Sequence, residues 1–282
     1  MSTRKPQPPK PTTRSAPMTA KSVNLISPKN KNVFIPRKST TIKTPNDHRY
    51  DHLDMAAREI MDLLNSARIK HSFIGGYAAS LIGSERVTQD VDVLVERECK
   101  NLLLAHSKFE PTLDNRVMYK YRDKTVCIDL HLAGSNMGPM FFFPELTQCN
   151  TFIFLGEHLR HRPVLNLKSL SVPFLNHEWL VCSKLVPWYA AHIATRGESS
   201  TRTETDLVDI KAILEVLIER NIIFDWAGLL EARKANLLRL FGAAYRHKRD
   251  LGLLIAQVLS PDDLGFALVE SKKFDQGKYL LV

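Results

Sequence analysis

Asp90 and Asp92 stand two residues apart at the head of the β-prone run Val91–Val95. Side chains alternate along a strand, so both carboxylates point to one face while Val91 and Val93 point to the other. A third aspartate, Asp129, lies in the segment Val126-Cys127-Ile128-Asp129-Leu130-His131-Leu132. There the apolar residues 126, 128, 130 and 132 share one face, and Asp129 takes the opposite face with Cys127 and His131. If the two strands are neighbours, three carboxylates converge. Two carboxylates about 4 Å apart repel by roughly 4 kcal/mol at an effective dielectric of about 20. A divalent cation turns that repulsion into binding energy, and oxygen-only donors suit Mg²⁺ or Mn²⁺. Such ions also take oxygens from a triphosphate, activate an attacking hydroxyl and stabilise a leaving pyrophosphate.

Upstream, the short strand His71–Ile74 runs into Gly75-Gly76, and a helix over Tyr77–Ile82, closed by Gly83, follows at once. Glycine lets the backbone approach a ligand closely, and a helix N-terminus offers unpaired N–H groups and the positive end of its dipole. Together these suit a phosphate, although a tight turn would need the same glycines. Arg86 and Thr88 lie just before Asp90. They either hold the loop or touch substrate, and Arg86 is placed to pair with Asp90 or Asp92 when no metal is bound. His131, beside Asp129 on the strand face, is expected to make a satisfied hydrogen bond rather than to act in catalysis. His158 and His161 lie among Arg160 and Arg162, which would repel a cation, and Met140–Phe143 reads as core or a covered loop. No GxxxxGK[ST] loop and no local hydrolase signature occurs.

These residues need a scaffold, and the periodicity supplies one. Apolar residues at helical spacing predict a helix over 52–68. Glu98–Ser107 predicts another. Val117–Tyr121 and Thr125–Leu132 predict a hairpin turning at Arg122-Asp123-Lys124. After Pro173 the character changes, and 177–196, 203–220, 226–240 and 246–259 all read as helices, the first kinked at Pro187. The fold class is therefore α+β, a small mixed β-sheet domain with flanking helices over 51–172 followed by a helical domain over 173–282.

The string Gly75-Gly76, short helix, Asp90-x-Asp92, then Asp129 on a neighbouring strand resembles the nucleotidyltransferase fold of the DNA polymerase beta superfamily. Its form Gly-Gly-Tyr-Ala…Gly…Arg-x-Thr-x-Asp-x-Asp is most similar to the abortive-infection type toxin nucleotidyltransferases. A Lys184-Leu185 pair, Arg196 or Arg202, and Asp206-x-x-Asp209 resemble more loosely that subgroup's helical motif, so the likeness spans about 52–220. The resemblance implies transfer of a nucleoside monophosphate from a nucleoside triphosphate to an acceptor hydroxyl on an RNA end, a protein or a small molecule, with release of pyrophosphate. It implies that Asp90, Asp92 and Asp129 hold Mg²⁺ or Mn²⁺, that Asp129 helps deprotonate the acceptor, and that Gly75, Gly76, Arg86, Thr88 and Lys184 hold the triphosphate. Lys184 would otherwise snorkel from its apolar helix, and Asp206 and Asp209 would otherwise make a salt bridge along a helix face. Many superfamily members carry Ser where this chain has Gly76, so one phosphate-binding hydroxyl is missing. That departure supports an alternative, a catalytically inactive nucleotide-binding or scaffolding module.

The 282 residues carry a net charge of +9, but residues 1–50 hold eleven Lys or Arg against Asp47 alone. The rest is nearly neutral, which weakens the case for a nucleic-acid binder working through the whole surface. Eight of the fifteen prolines also fall in 1–50, which reads as a disordered basic arm, with contact to RNA or an acidic partner and organellar targeting both open. No 18-residue apolar run and no leader-like apolar segment occurs, so no membrane partner is expected. Cys99, Cys127, Cys149 and Cys182 are too far apart for a CxxC site, and an intracellular compartment is expected: cytoplasmic first, nuclear or mitochondrial open.

Overall fold

A computed structural model of the chain describes residues 49–114, 116–135, 146, 149–153, 171–193, 199–227, 229 and 231–274. The arm up to residue 48, the histidines 158 and 161, Arg196 and Met140–Phe143 lie outside them. Tyr50 belongs to the folded part: it is buried at the entry of α1 (Asp51–Ser66). Leu53, Ala56, Ala57, Ile60, Met61 and Leu64 then recur at helical spacing and bury one face of α1.

The sheet is mixed and seven-stranded, in the order β3-β4-β5-β2-β1-β7-β6. Its strands are β1 (His71–Ile74), β2 (Asp90–Val95), β3 (Phe109–Pro111), β4 (Val117–Tyr121), β5 (Lys124–Leu132), β6 (Cys149–Ile153) and β7 (Ser171–Leu175). β2 runs parallel to β5 and β1 parallel to β7; the other neighbours are antiparallel. The predicted hairpin forms with a tighter turn than expected. Tyr121 pairs with Lys124, so Lys124 is in the strand and the loop is Arg122-Asp123, with Arg122 in the left-handed region at φ 54°. That backbone matches the right-handed twist of the strands it joins.

Between β1 and β2 lies α2 (Gly75–Ile82), which starts two residues earlier than predicted, so both glycines form its first turn. Its N-cap, Ile74, is extended and supplies no capping side chain. α3 is shorter than the predicted Glu98–Ser107 helix, covering Lys100–Leu104. The helical part comprises α4 (His177–Ile193), α5 (Ser199–Glu219), α6 (Glu231–His247), α7 (Arg249–Val258) and α8 (Pro261–Phe274). α4 and α5 pack on each other and on α2, which brings the helices against the glycine end of the sheet. No helix among the described residues is long and apolar enough to cross a membrane.

Other elements differ from expectation as well. β7 contains Pro173, which removes a ladder donor and made the segment read as a boundary; the division at 172/173 falls inside this strand. α6 starts at Glu231 rather than 226, because Asp225 turns the chain by accepting a bond from the Ala227 N–H (2.9 Å). α8 was not predicted, although Ser260 caps it by accepting from the Asp263 N–H (3.1 Å) and Pro261 opens it.

Candidate active site

The strands β2 and β5 pair in the register Asp90↔Cys127, Asp92↔Asp129 and Leu94↔His131. The three carboxylates therefore share one face of two adjacent strands, as their alternation predicted. Val91 and Val93 on the other face are fully buried, with Ile128 beside them. Each carboxylate has a protein partner. The Thr88 hydroxyl donates to Asp90 Oδ1. His131 Nε2 lies 3.2 Å from Asp92 Oδ1. Cys127 Sγ lies 3.7 Å from Asp129 Oδ1, and Arg116 Nη1 lies 3.7 Å from Asp129 Oδ2. The carboxyl of Asp129 is pushed above the usual carboxylate range, first by burial and then by the charges of Asp92 and Asp90, with Arg116 opposing. The Cys127 thiol is pushed up to about 11 by burial and by Asp129. Arg116, just before β4, gave no signal in the sequence, because only the fold brings it beside Asp129.

The glycine pair is explained by what lies against it. Gly75 has φ +67°, and a Cβ there would stand 1.8 Å from Asp92 Oδ2. A Cβ on Gly76 would stand 2.3 Å from Arg86 Nη2 and 2.9 Å from Thr88 Oγ1. A serine at 76 would therefore collide with Arg86, and the Thr88 hydroxyl already lies beside that position. Gly75, Gly76, Thr88 and the three aspartates are thus gathered at one end of β1 and β2. Their oxygen donors are of the type a hard divalent ion uses. With each carboxylate turned to a protein partner, no three His, Cys, Asp or Glu side chains among the described residues form a ready ligand set.

Arg86 does not pair with Asp90 or Asp92. It grips Asp209 on α5 through Nε (3.2 Å) and Nη2 (2.9 Å) to Oδ2. Ser84 Oγ donates to Asp209 Oδ1 at 2.7 Å. From α4, Lys184 Nζ lies 2.9 Å from Asp209 Oδ2 and 3.3 Å from Asp206 Oδ1. Asp209 is fully buried, and Lys184 and Asp206 nearly so. Lys184 therefore does not snorkel, and the two aspartates face inward onto it rather than along a helix surface. Burial alone would lower the Lys184 pKa, but Asp209 and Asp206 outweigh it and hold the ammonium above its usual range. Two cations balance two carboxylates in a cluster that ties the 84–86 loop to α4 and α5.

No protein-family model matches the sequence, and no curated protein is significantly similar to it. Among solved structures, an antigenic nucleotidyltransferase-like protein from Paracoccidioides brasiliensis superposes with a TM-score of 0.56 at 17% identity, over 74% of this chain and 94% of that one. The antibiotic-resistance factor ANT(2'')-Ia aligns more loosely. Its crystal structure with adenylyl-2''-tobramycin gives a TM-score of 0.32 at 13% identity, over 60% of this chain and 98% of that one. The likeness to the first of these shows a shared nucleotidyltransferase-like fold.

Two outcomes follow from this geometry. Asp209→Ala leaves Lys184 and Arg86 together with Asp206 as the one remaining carboxylate of the cluster. It should cost about 3–5 kcal/mol in urea unfolding; a cost below about 1 kcal/mol would show that the cluster does not hold the helices to the sheet. Asp129→Asn removes a carboxylate whose folded pKa is raised. Between the unfolded and folded pKa values the folded wild type holds the extra proton, so wild-type stability is lost as pH rises through that window. Without metal, the variant should melt at or above the wild type at neutral pH, with the gap closing at acid pH. A variant less stable at neutral pH would contradict the repulsion.

Proposed function

We propose that this chain is a metal-dependent nucleotidyltransferase. It transfers a nucleoside monophosphate from a nucleoside triphosphate to an acceptor hydroxyl: the bond from the α-phosphorus to the acceptor oxygen forms, the bond to the β-phosphate bridge breaks, and pyrophosphate leaves. The observation that carries the reading is the pairing of Asp92 with Asp129, with Asp90 on the same face. Three carboxylates on one half-buried strand face repel one another, and a cation held between them would offset that repulsion.

Asp90, Asp92 and Asp129 are the residues that would hold Mg²⁺ or Mn²⁺. Their oxygen donors fit such an ion, and so does the bare Gly75 surface that leaves room for the Asp92 carboxylate. Bound there, the ion would neutralise phosphate oxygens and make the acceptor hydroxyl easier to deprotonate. Asp129, whose carboxyl is pushed above the usual carboxylate range, accepts the acceptor proton. The uncapped first turn of α2 offers N–H groups to phosphate oxygens. Arg86 and Thr88 flank Gly76 and extend that contact. Lys184 reaches the triphosphate by exchanging an aspartate partner for a phosphate. The Lys184–Asp206–Asp209 grouping is also what supports membership of the abortive-infection type. Cys99, Cys127 and Cys182 are unpaired thiols, which fits a reducing intracellular setting. The basic arm is the natural contact for an RNA acceptor.

Two observations favour the inactive module instead. Gly76 supplies no hydroxyl, and all three carboxylates are already engaged by protein donors. The two readings part in one assay, which offers each α-³²P-labelled ribonucleoside triphosphate with Mg²⁺ or Mn²⁺, pooled small RNA and the protein itself. Label transferred by the wild type and lost in Asp92→Ala, with the fold retained, is the expected result. Equal transfer by the variant would remove the mechanism, and triphosphate binding without transfer would favour the module.

A further inference from the structure

The carboxylate of Asp92 is held from two sides. Its Oδ2 lies where a side chain on residue 75 would begin, 1.8 Å from the Cβ position of Gly75. Its Oδ1 lies 3.2 Å from Nε2 of His131. His131 sits opposite Leu94, so it is the diagonal cross-strand neighbour of Asp92, two residues beyond Asp129 on the same strand. A carboxylate only accepts hydrogen bonds, so Nε2 carries the proton and donates. We infer that His131 is a positioning residue: by donating to Asp92 Oδ1 it fixes the rotation of that carboxylate, which leaves Oδ2 turned toward the glycine end of β1 for a divalent cation. The inference rests on the metal-dependent reading above.

The geometry leaves few other ways to orient Asp92. Backbone pairing fixes its Cα and Cβ, since both neighbours of β2 are strands in register. The rotation of the carboxyl group about its last bond is not fixed by the sheet, because that torsion is soft. The Gly75 surface limits it on one side by contact alone. A directional bond is needed on the other side, and His131 supplies it from a strand that also delivers Asp129. Half-buried at 29% side-chain exposure, the imidazole is partly shielded from competing water yet remains beside the site. One strand thus presents both a proposed ligand and the donor that aims the ligand on the next strand. Losing a donor that orients a metal ligand typically weakens metal affinity about 10–100-fold.

The test is Mn²⁺ binding by calorimetry and electron paramagnetic resonance on the full chain, without nucleotide, for the wild type, His131→Ala and His131→Gln. Melting without metal serves as the control for folding. His131→Ala should bind Mn²⁺ about 10–100-fold more weakly. His131→Gln, whose amide N–H₂ can stand near the place of Nε2, should restore most of the affinity. Metal-free melting should be the same in all three, which a merely structural role for the histidine would not give. Wild-type affinity in His131→Ala would overturn the positioning role and leave the proposed reaction standing. A glutamine variant as weak as the alanine one would also overturn it, because the ring would then be acting as a ligand rather than as a donor. Absence of Mn²⁺ binding by the wild type would overturn the positioning role and the metal-dependent reading together.

Discussion

The rest of the site depends on the register between β2 and β5. Parallel pairing that sets Asp92 against Asp129 puts Asp90, Asp92, Asp129, Cys127 and His131 on one face and Val91, Val93 and Ile128 on the other. A slip of one residue would turn the carboxylates into the core and expose the valines. Burying unpaired carboxylates is so unfavourable that the apolar face alone enforces the register. The carboxylate face is therefore positioned by hydrophobic burial on the reverse side of the same strands.

A second constraint acts across the fold. The 84–86 loop leads into β2 and carries Arg86, which is bonded to an aspartate 123 residues further along the chain. Asp209 also accepts from Ser84 and pairs with Lys184, so one buried carboxylate joins the loop, α4 and α5. Such clusters add less to stability than their charges suggest, because desolvation offsets most of the attraction. They do fix geometry. Arg86 held in this way is what fills the space over Gly76, so the absence of a side chain at 76 and the anchoring on Asp209 are two parts of one arrangement. The carboxylate face carries the opposite balance: burial first, and then the charges of Asp92 and Asp90, raise the proton affinity of Asp129.

The local parts of this arrangement were legible in the sequence. Alternation in 91–95 and 126–132 gave the strands, their inward faces and the side on which the aspartates lie. The glycine pair gave the turn into α2. What needed long-range contact was not legible. Arg86 reads as a partner for its sequence neighbours Asp90 and Asp92, and only the packing of α5 shows that Asp209 claims it. Arg116 has no pattern around it that marks a site. Pro173 made a strand read as a boundary, since a proline inside a central strand is rare. The three residues of β3 are too few for any periodicity to show. The cap of α8 was a different case, because Ser260-Pro261 is a local signal that reading by apolar spacing alone passes over.

The central claim is that the face shared by β2 and β5 is a cation site serving a triphosphate. Its most direct test is a crystal structure of the full chain grown with Mn²⁺ and a non-hydrolysable nucleoside triphosphate, with data collected at the manganese edge. An anomalous peak is expected among Asp90, Asp92 and Asp129, with the triphosphate running from it to the first turn of α2. A triphosphate bound with no manganese between those carboxylates, or bound away from α2, would contradict it.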